Sequence, residues 1–279
     1  MLPLLRVLLW CLVLPSVAVA QSFVSAPTTD SRLQAMETTD AGRMWQGVGR
    51  LDRQGQGFCT GALIAPDLVL TAAHCLFDRQ SQEMVDVTTI EFRAGWRNGR
   101  AAAYRQVRRA VIHPDYHFDA GIKPEHVRHD LALLQLQQPI RNTSVLPFET
   151  DRQPRRGARV GVVSYAHDRF EAPSIQDACA VMARQNGVLV MSCDVDYGSS
   201  GAPVFAFDGG IARIVSVVSA KAMVAEDQVS LGADLAEGLA QLKSQITTIP
   251  VGNRMPAGVG RVQVGDRPSD GLGAKFIRN

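Results

Sequence analysis

Phe58-Cys-Thr-Gly-Ala-Leu-Ile-Ala-Pro-Asp-Leu-Val-Leu-Thr-Ala-Ala-His-Cys75 holds two apolar runs joined by Pro66-Asp67, a turn signal, and reads as a β-hairpin. Its first strand opens with Cys59 and its second ends at His74-Cys75. Paired as a hairpin, the runs bring the two cysteines close together, and a disulfide between them would clamp the segment carrying His74. A histidine held at a strand end beside such a staple is well placed for general-base work. Two later stretches supply what that base needs: Asp130 in His129-Asp-Leu-Ala-Leu-Leu-Gln-Leu136, and a hydroxyl in Tyr197-Gly-Ser-Ser-Gly-Ala-Pro203.

Outward from the hairpin, the chain is a series of short strand signals. Gly47 to Leu51 and Thr88 to Arg93 read as strands, Ala101 to Ile112 fits strand or helix, and Leu131 to Leu136 is a short buried strand. The segment from Leu146 to Arg156, with two prolines and a charged cluster, reads as an interdomain connection. A second block follows at Ala158–Ser164, Ala178–Met182, Gly187–Ser192, Pro203–Phe207 and Ile211–Val218. Short strands with regular turns between them point to an all-β sandwich or barrel. Leu235 to Ile246 has helical spacing and reads as one C-terminal helix. The expected organisation is a first β-barrel over 44–148 and a second over 149–246 that includes this helix.

The ends differ in composition. Arg6, an apolar stretch from Val7 to Leu14 and the small-residue end Ala18-Val-Ala20 fit a signal peptide over 1–20, cleaved after Ala20. The run is short for an uncleaved membrane anchor. Cys11 would leave with the signal. Residues 21–43 are polar and without period, a segment expected to drape the surface. Residues 247–279 are rich in Gly and Pro and read as a disordered tail. Of 279 residues, 29 are basic and 27 acidic, which offers no basic face for nucleic acid. The mature chain keeps Cys59, Cys75, Cys179 and Cys193. An even count in an exported protein suggests two disulfides, and order alone leaves three pairings open.

Thr71-Ala-Ala-His-Cys75, Asp130-Leu-Ala-Leu-Leu134 and Gly198-Ser-Ser-Gly-Ala-Pro203, in this order, resemble the three signatures of the trypsin-like, chymotrypsin-fold serine proteases. The likeness spans about Met44 to Ile246, and Val111-Ile-His-Pro-Asp-Tyr116 resembles the segment that precedes the family's triad aspartate. It implies two antiparallel β-barrels of the chymotrypsin type, with a Ser-His-Asp triad in the cleft between them. His74 would be the base, Asp130 its orienting partner and Ser200 the nucleophile. The N–H groups of Gly198 and Ser200 would form the oxyanion hole. Ser216 would support the aspartate and line the substrate cleft. The local disulfide pairing, Cys59 with Cys75 and Cys179 with Cys193, matches the resemblance. The function implied is a secreted or periplasmic serine endopeptidase working through an acyl-enzyme, a monomer acting on protein or peptide substrates with no cofactor. A non-catalytic binding scaffold and an esterase are the rivals.

Departures from the family pattern carry expectations of their own. Ser199 competes with Ser200 as nucleophile, and the register against Gly-Ala-Pro favours Ser200. Ser199 also stands where zymogen-forming members have an aspartate that receives a freed N-terminal ammonium, and nothing near Met44 resembles their Ile-Val-Gly-Gly terminus. Activity is therefore expected without an internal cut, as in the bacterial secreted members, including the glutamyl-endopeptidase branch. Asp194 lies where an ungapped match puts the aspartate behind trypsin's preference for Lys or Arg. Cys193, however, is out of register, which favours Asp194 as a structural loop carboxylate. Val218 stands where open-pocket members have glycine, and would narrow the pocket. His113 with His117, and His126 with His129, have helical ligand spacing. Pro114 and Pro124 interrupt or flank those pairs and no cysteine lies near, so these read as loop histidines and no metal is expected.

Overall fold

A computed structural model describes residues 33–248 apart from 56, 119–123, 153, 225 and 237. Its first unit grows from the opening hairpin. Strands β3 (Phe58–Ala65) and β4 (Leu68–Thr71) pair antiparallel, with Ala62 opposite Leu70 and Pro66-Asp67 at the turn. Added to them are β2 (Val48–Asp52), β5 (Glu91–Ala94), β6 (Ala103–Ile112) and β7 (Ala132–Leu136). The circuit β2-β3-β4-β7-β6-β5 closes into a barrel. Leu51, Leu63, Leu70, Phe92 and Leu133 fill it and are fully buried.

The second unit comprises β8 (Arg159–Ala166), β9 (Arg169–Gln185), β10 (Val188–Met191), β11 (Pro203–Asp208), β12 (Ile211–Val224) and β13 (Asp227–Asp234). They follow the order β9-β10-β13-β12-β11-β8, and β8 also pairs with β9, so the sheet curls back on itself. The long β9 can serve both neighbours because Cys179 and Ala180 face β8 while Val181 to Gln185 face β10. On β8, Val160 and Val162 point into this unit's core, whereas Val163 and Tyr165 join a cluster shared with the first barrel. That apolar seam docks the two units. The fold is all-β, as read from the pattern.

Between β7 and β8 the chain crosses from one unit to the other. Phe148 N–H donates to the Leu63 carbonyl at 2.8 Å, and three residues on Asp151 N–H donates to Ile214 at 2.8 Å. The Phe148 ring packs on Phe205, which in turn packs on Trp45, with centroids 4.9 Å apart in both pairs.

Several expectations are corrected in detail. The strand read at Thr88 begins at Glu91, because Asp86 accepts from Thr88 N–H at 3.0 Å and caps a 3-10 turn there. Ala101 to Ile112 resolves as β6. Strand β13 and the first half of β9 escaped the sequence pattern. Of the segment expected to drape the surface, β1 (Gln34–Ala35) instead pairs with Ile175 and Ser174 of β9, and Met36 is buried. The C-terminal helix α2 (Gly238–Thr248) starts three residues later than read. It buries Leu239, Leu242 and Ile246 against β6 and β7. The signal-like residues 1–20 and nearly all of the 247–279 tail lie outside the described residues.

Both disulfides form as the resemblance implied, Cys59–Cys75 and Cys179–Cys193, at sequence separations of 16 and 14. A loop of that length is worth about 3 kcal/mol in the chain-entropy model. Replacing Cys179 and Cys193 together by serine is expected to lower the unfolding free energy by about that amount. Urea denaturation of the oxidised variant and wild type measures the difference.

Candidate active site

His74, Asp130 and Ser200 meet in one cleft of about 530 Å³. His74 sits on a 3-10 turn, Ala73–Leu76, that follows β4 after an extended Ala72. Cys75 pins that turn to the start of β3. The short helix α1 (Pro124–His129) delivers Asp130 to the same place immediately before β7.

The Asp130 carboxylate is only 3% exposed, and an unpaired charge there would be costly. Three donors satisfy it. His74 N–H reaches Oδ1 at 2.9 Å, His74 Nδ1 reaches Oδ2 at 2.7 Å, and the Ser219 hydroxyl reaches Oδ2 at 2.5 Å. An ionised carboxylate only accepts, so Nδ1 carries the ring proton and Nε2 is left with its lone pair. That lone pair is what a general base needs.

Ser200 lies in a tight turn. Ser199 N–H donates to Asp196 at 2.8 Å, Ala202 N–H to Ser199 at 3.0 Å and Gly201 N–H to Val218 at 2.8 Å. Gly198 has φ +99°, and a side chain there would strike the Phe58 ring and Ala166. Gly201, at φ +78°, packs so closely on Thr60 and Thr71 that a Cβ would run into both. Among the described residues the N–H groups of Gly198 and Ser200 have no acceptor, and the Ser200 hydroxyl makes no hydrogen bond to His74 Nε2. Such a link often tightens only when substrate is present.

Two assignments move. Ser216 is fully buried and donates to the Ala233 carbonyl at 2.7 Å, so it neither supports Asp130 nor lines the cleft. Ser219 does both. The cause is a register shift in β12 between Val218 and Ala220, which takes Ser219 out of the ladder. Val218 does line the cleft. Asp194 is exposed and outside it. Its N–H donates to Gln176 at 2.7 Å and its carboxylate accepts from Gln228 at 3.2 Å, the structural loop role that its register favoured.

Charge at the cleft mouth comes from residues that no motif singled out. Lys221 donates to Asp196 at 2.7 Å, and this bond holds the Asp196 carboxyl below its ordinary range. Lys221 and Arg79 both lie over the Tyr197 ring, 5.2 and 5.4 Å from its centroid. Arg79 makes no ion pair among the described residues.

The histidines group differently from their spacing. His113 and His129 stack with centroids 4.6 Å apart and planes 10° apart, and Asp115 N–H donates to His113 Nδ1 at 3.2 Å. Asp115 brings a third ligand group to the cluster. Nearly parallel rings cannot both place one ion in their planes, so the cluster as built does not suit metal coordination.

The sequence profile of the trypsin-like peptidase domain matches residues 59–212, more than half of the 279 residues, and the chain belongs to that family. It is similar to the glutamyl endopeptidase of Bacillus licheniformis, 27% identical over 150 residues, which cover 53% of this chain and 45% of the relative. It is 29% identical to the trypsin of Sarcophaga bullata over 115 residues, 40% of this chain and 41% of that protein. The chain thus matches under half the length of these relatives. A solved structure of a Glu endopeptidase in complex with MPD shares the fold, with TM-score 0.63 and 18% identity over 78% of this chain and 97% of that one.

Burial lowers the pKa of both His113 and His129, and the charges of His129 and Arg128 respectively add to it. With folded values lowered, the unfolded chain takes up these protons first as pH falls. Their contribution to stability is full above the ordinary value of 6.5 and is lost on acidification below it. Thermal melts between about pH 5 and pH 8 are expected to show that slope. His129→Gln, which keeps an N–H donor, is expected to flatten it.

Proposed function

We propose that the chain is a secreted serine endopeptidase that hydrolyses peptide bonds by a Ser-His-Asp triad. The observation that carries this reading is Asp130 holding His74 Nδ1 in a cleft shared with Ser200, whose loop has two N–H groups without acceptors among the described residues. His74 Nε2 takes the Ser200 proton as the oxygen attacks the scissile carbonyl carbon. Asp130 stabilises the imidazolium that forms. The N–H groups of Gly198 and Ser200 receive the oxyanion. His74 then passes its proton to the leaving amine, and the peptide C–N bond breaks to leave an acyl-enzyme. Water, deprotonated by the same imidazole, releases the acid and regenerates Ser200.

The lobes 44–148 and 149–246 contribute the opposite walls of the cleft, and both belong to the working enzyme. Export is supported by the signal-like composition of residues 1–20 and by two disulfides, which persist in oxidising compartments. Family membership supports hydrolysis over a pure binding scaffold, and no triad residue is lost.

For specificity, Asp194 lies outside the cleft, and the Asp196 carboxylate at its mouth is already bonded to Lys221, which weakens the case for a Lys or Arg preference. Arg79 and Lys221 at the mouth favour acidic side chains near the scissile bond. The relative's name, glutamyl endopeptidase, agrees in sign.

Signal-free protein is expected to react with a fluorophosphonate probe without any cut near Met44. Ser200→Ala is expected to abolish labelling, and His74→Ala to slow it by about 10⁴-fold or more. Labelling seen only after cleavage would overturn the cleavage-independent reading, and none in folded, oxidised protein would favour the scaffold. In a peptide panel varied around the cleaved bond, acidic residues are expected to exceed Lys and Arg. Matched amide and ester substrates separate a protease from an esterase.

A further inference from the structure

Thr60 has no part in the reaction described above, yet the loop bearing Ser200 rests on it. It is fully buried on β3 beside Cys59. Its N–H donates to the Ser200 carbonyl at 2.9 Å. Its hydroxyl oxygen lies 2.8 Å from the Gly198 carbonyl and 3.1 Å from Tyr165 N of β8. An amide N–H can only donate, so the oxygen accepts from Tyr165 and its one proton goes to Gly198. The Thr60 carbonyl in turn accepts from the buried Thr71 hydroxyl at 2.9 Å. Every polar group of the residue is therefore committed, to partners on β4, on β8 and in the loop.

The two carbonyls held by Thr60 belong to the peptide groups on either side of the one that carries Ser200 N–H. Gly198 itself, at φ +99°, has conformations open to it that no other residue shares, and a peptide unit beside glycine turns over at little steric cost. Something has to select the orientation in which both N–H groups lack an internal acceptor and are left for a ligand. The neighbouring Ser199 contributes no charge to that selection. Its hydroxyl is 3.2 Å from Ser164 Oγ and 3.4 Å from the Tyr165 carbonyl, all neutral partners. The contacts to Thr60 are shorter than these and flank the Ser200 N–H, while the peptide carrying Gly198 N–H is also held through the Tyr197 carbonyl, which accepts from His167 N–H at 2.7 Å.

We propose that the Thr60 hydroxyl is a positioning group that holds the Gly198–Ser200 turn with its N–H groups aimed into the cleft. Because Thr60 belongs to the first barrel and Tyr165 to the second, the same hydroxyl ties the readiness of the turn to the docking of the barrels. The inference rests on Ser200 being the nucleophile.

The test is the rate of fluorophosphonate labelling of the full signal-free chain, since the probe's phosphoryl oxygen needs the same donors as an oxyanion. Thr60→Val keeps the branched shape and removes the hydroxyl. It is expected to slow labelling by about 10- to 100-fold in protein whose near-ultraviolet circular dichroism matches wild type. Thr60→Ser, which restores the hydroxyl without the methyl, is expected to label within about threefold of wild type. Wild-type labelling by the valine variant, or a serine variant as slow as valine, overturns the proposal. If the valine variant does not fold, Thr60→Ala against Thr60→Ser decides in its place, and equal rates overturn it. No labelling of the wild type would remove Ser200 as nucleophile, and the inference would fall with that reading.

Discussion

A buried carboxylate organises this molecule. Asp130 is withdrawn from water and survives there only because donors from both halves of the chain converge on it. Two come from His74, on a turn stapled to the first barrel, and one from Ser219, on an irregular strand of the second. Displacing either barrel would strip a donor from a desolvated charge. The requirement to satisfy Asp130 therefore specifies the relative placement of the units as well as the tautomer of His74. The apolar seam of Val163, Tyr165, Phe205 and Ile214 supplies adhesion between the barrels, but it is non-directional. The carboxylate supplies the register.

The parts of the site legible in the sequence are those that depend on local chain chemistry. The opening hairpin could be read because Pro66-Asp67 breaks two apolar runs, and the cysteines at its ends then fall together. His74 and Asp130 could be read because their motifs, with that of Ser200, fall in the order of the trypsin-like family's signatures. The glycines beside Ser200 marked a tight turn, and the resemblance of Gly198-Ser-Ser-Gly-Ala-Pro203 to the family motif gave it its role. Ser219 could not, because its role follows from a shift of register inside β12, and an irregularity of pairing leaves no trace in composition or period. The same shift explains why counting along β12 from a family motif chose Ser216, three residues too early. Thr60 is harder still. It looks like any β-branched residue in a strand, and its partners lie 105 and 138 positions away. Strand β13 was missed for a related reason. Its burial does not alternate, since both faces meet protein over Val229–Ala233, and the period-2 signal disappears.

The cleft's electrostatics also emerge only from assembly. Arg79 follows the His74 turn in the first barrel, whereas Lys221 is on β12 in the second, and nothing in their spacing links them. The fold sets both against Tyr197, the residue before Gly198, so the ring spans the mouth between two cations. Asp196 balances only one of them at hydrogen-bonding distance. Among the described residues Arg79 makes no ion pair, whereas Lys221 is bonded to Asp196. The two cations are therefore unequal in their surroundings.

Neutrality at Ser199 belongs to the same logic. A carboxylate at that fully buried position would demand a cation of its own, and the turn could be ordered only once that cation arrived. A hydroxyl makes no such demand. It finds Ser164 and the Tyr165 carbonyl, while Arg169, itself half-buried, reaches Ser164 Oγ from the far side at 3.4 Å. The turn can then take its shape as the chain folds, with neutral hydrogen bonds to β3 and β8 in place of an ion pair assembled later. Those bonds individually contribute little net stability, so the arrangement works because several of them act on consecutive peptide groups of one short loop. The Cys59–Cys75 disulfide beside His74 adds a covalent clamp on the other side of the same cleft.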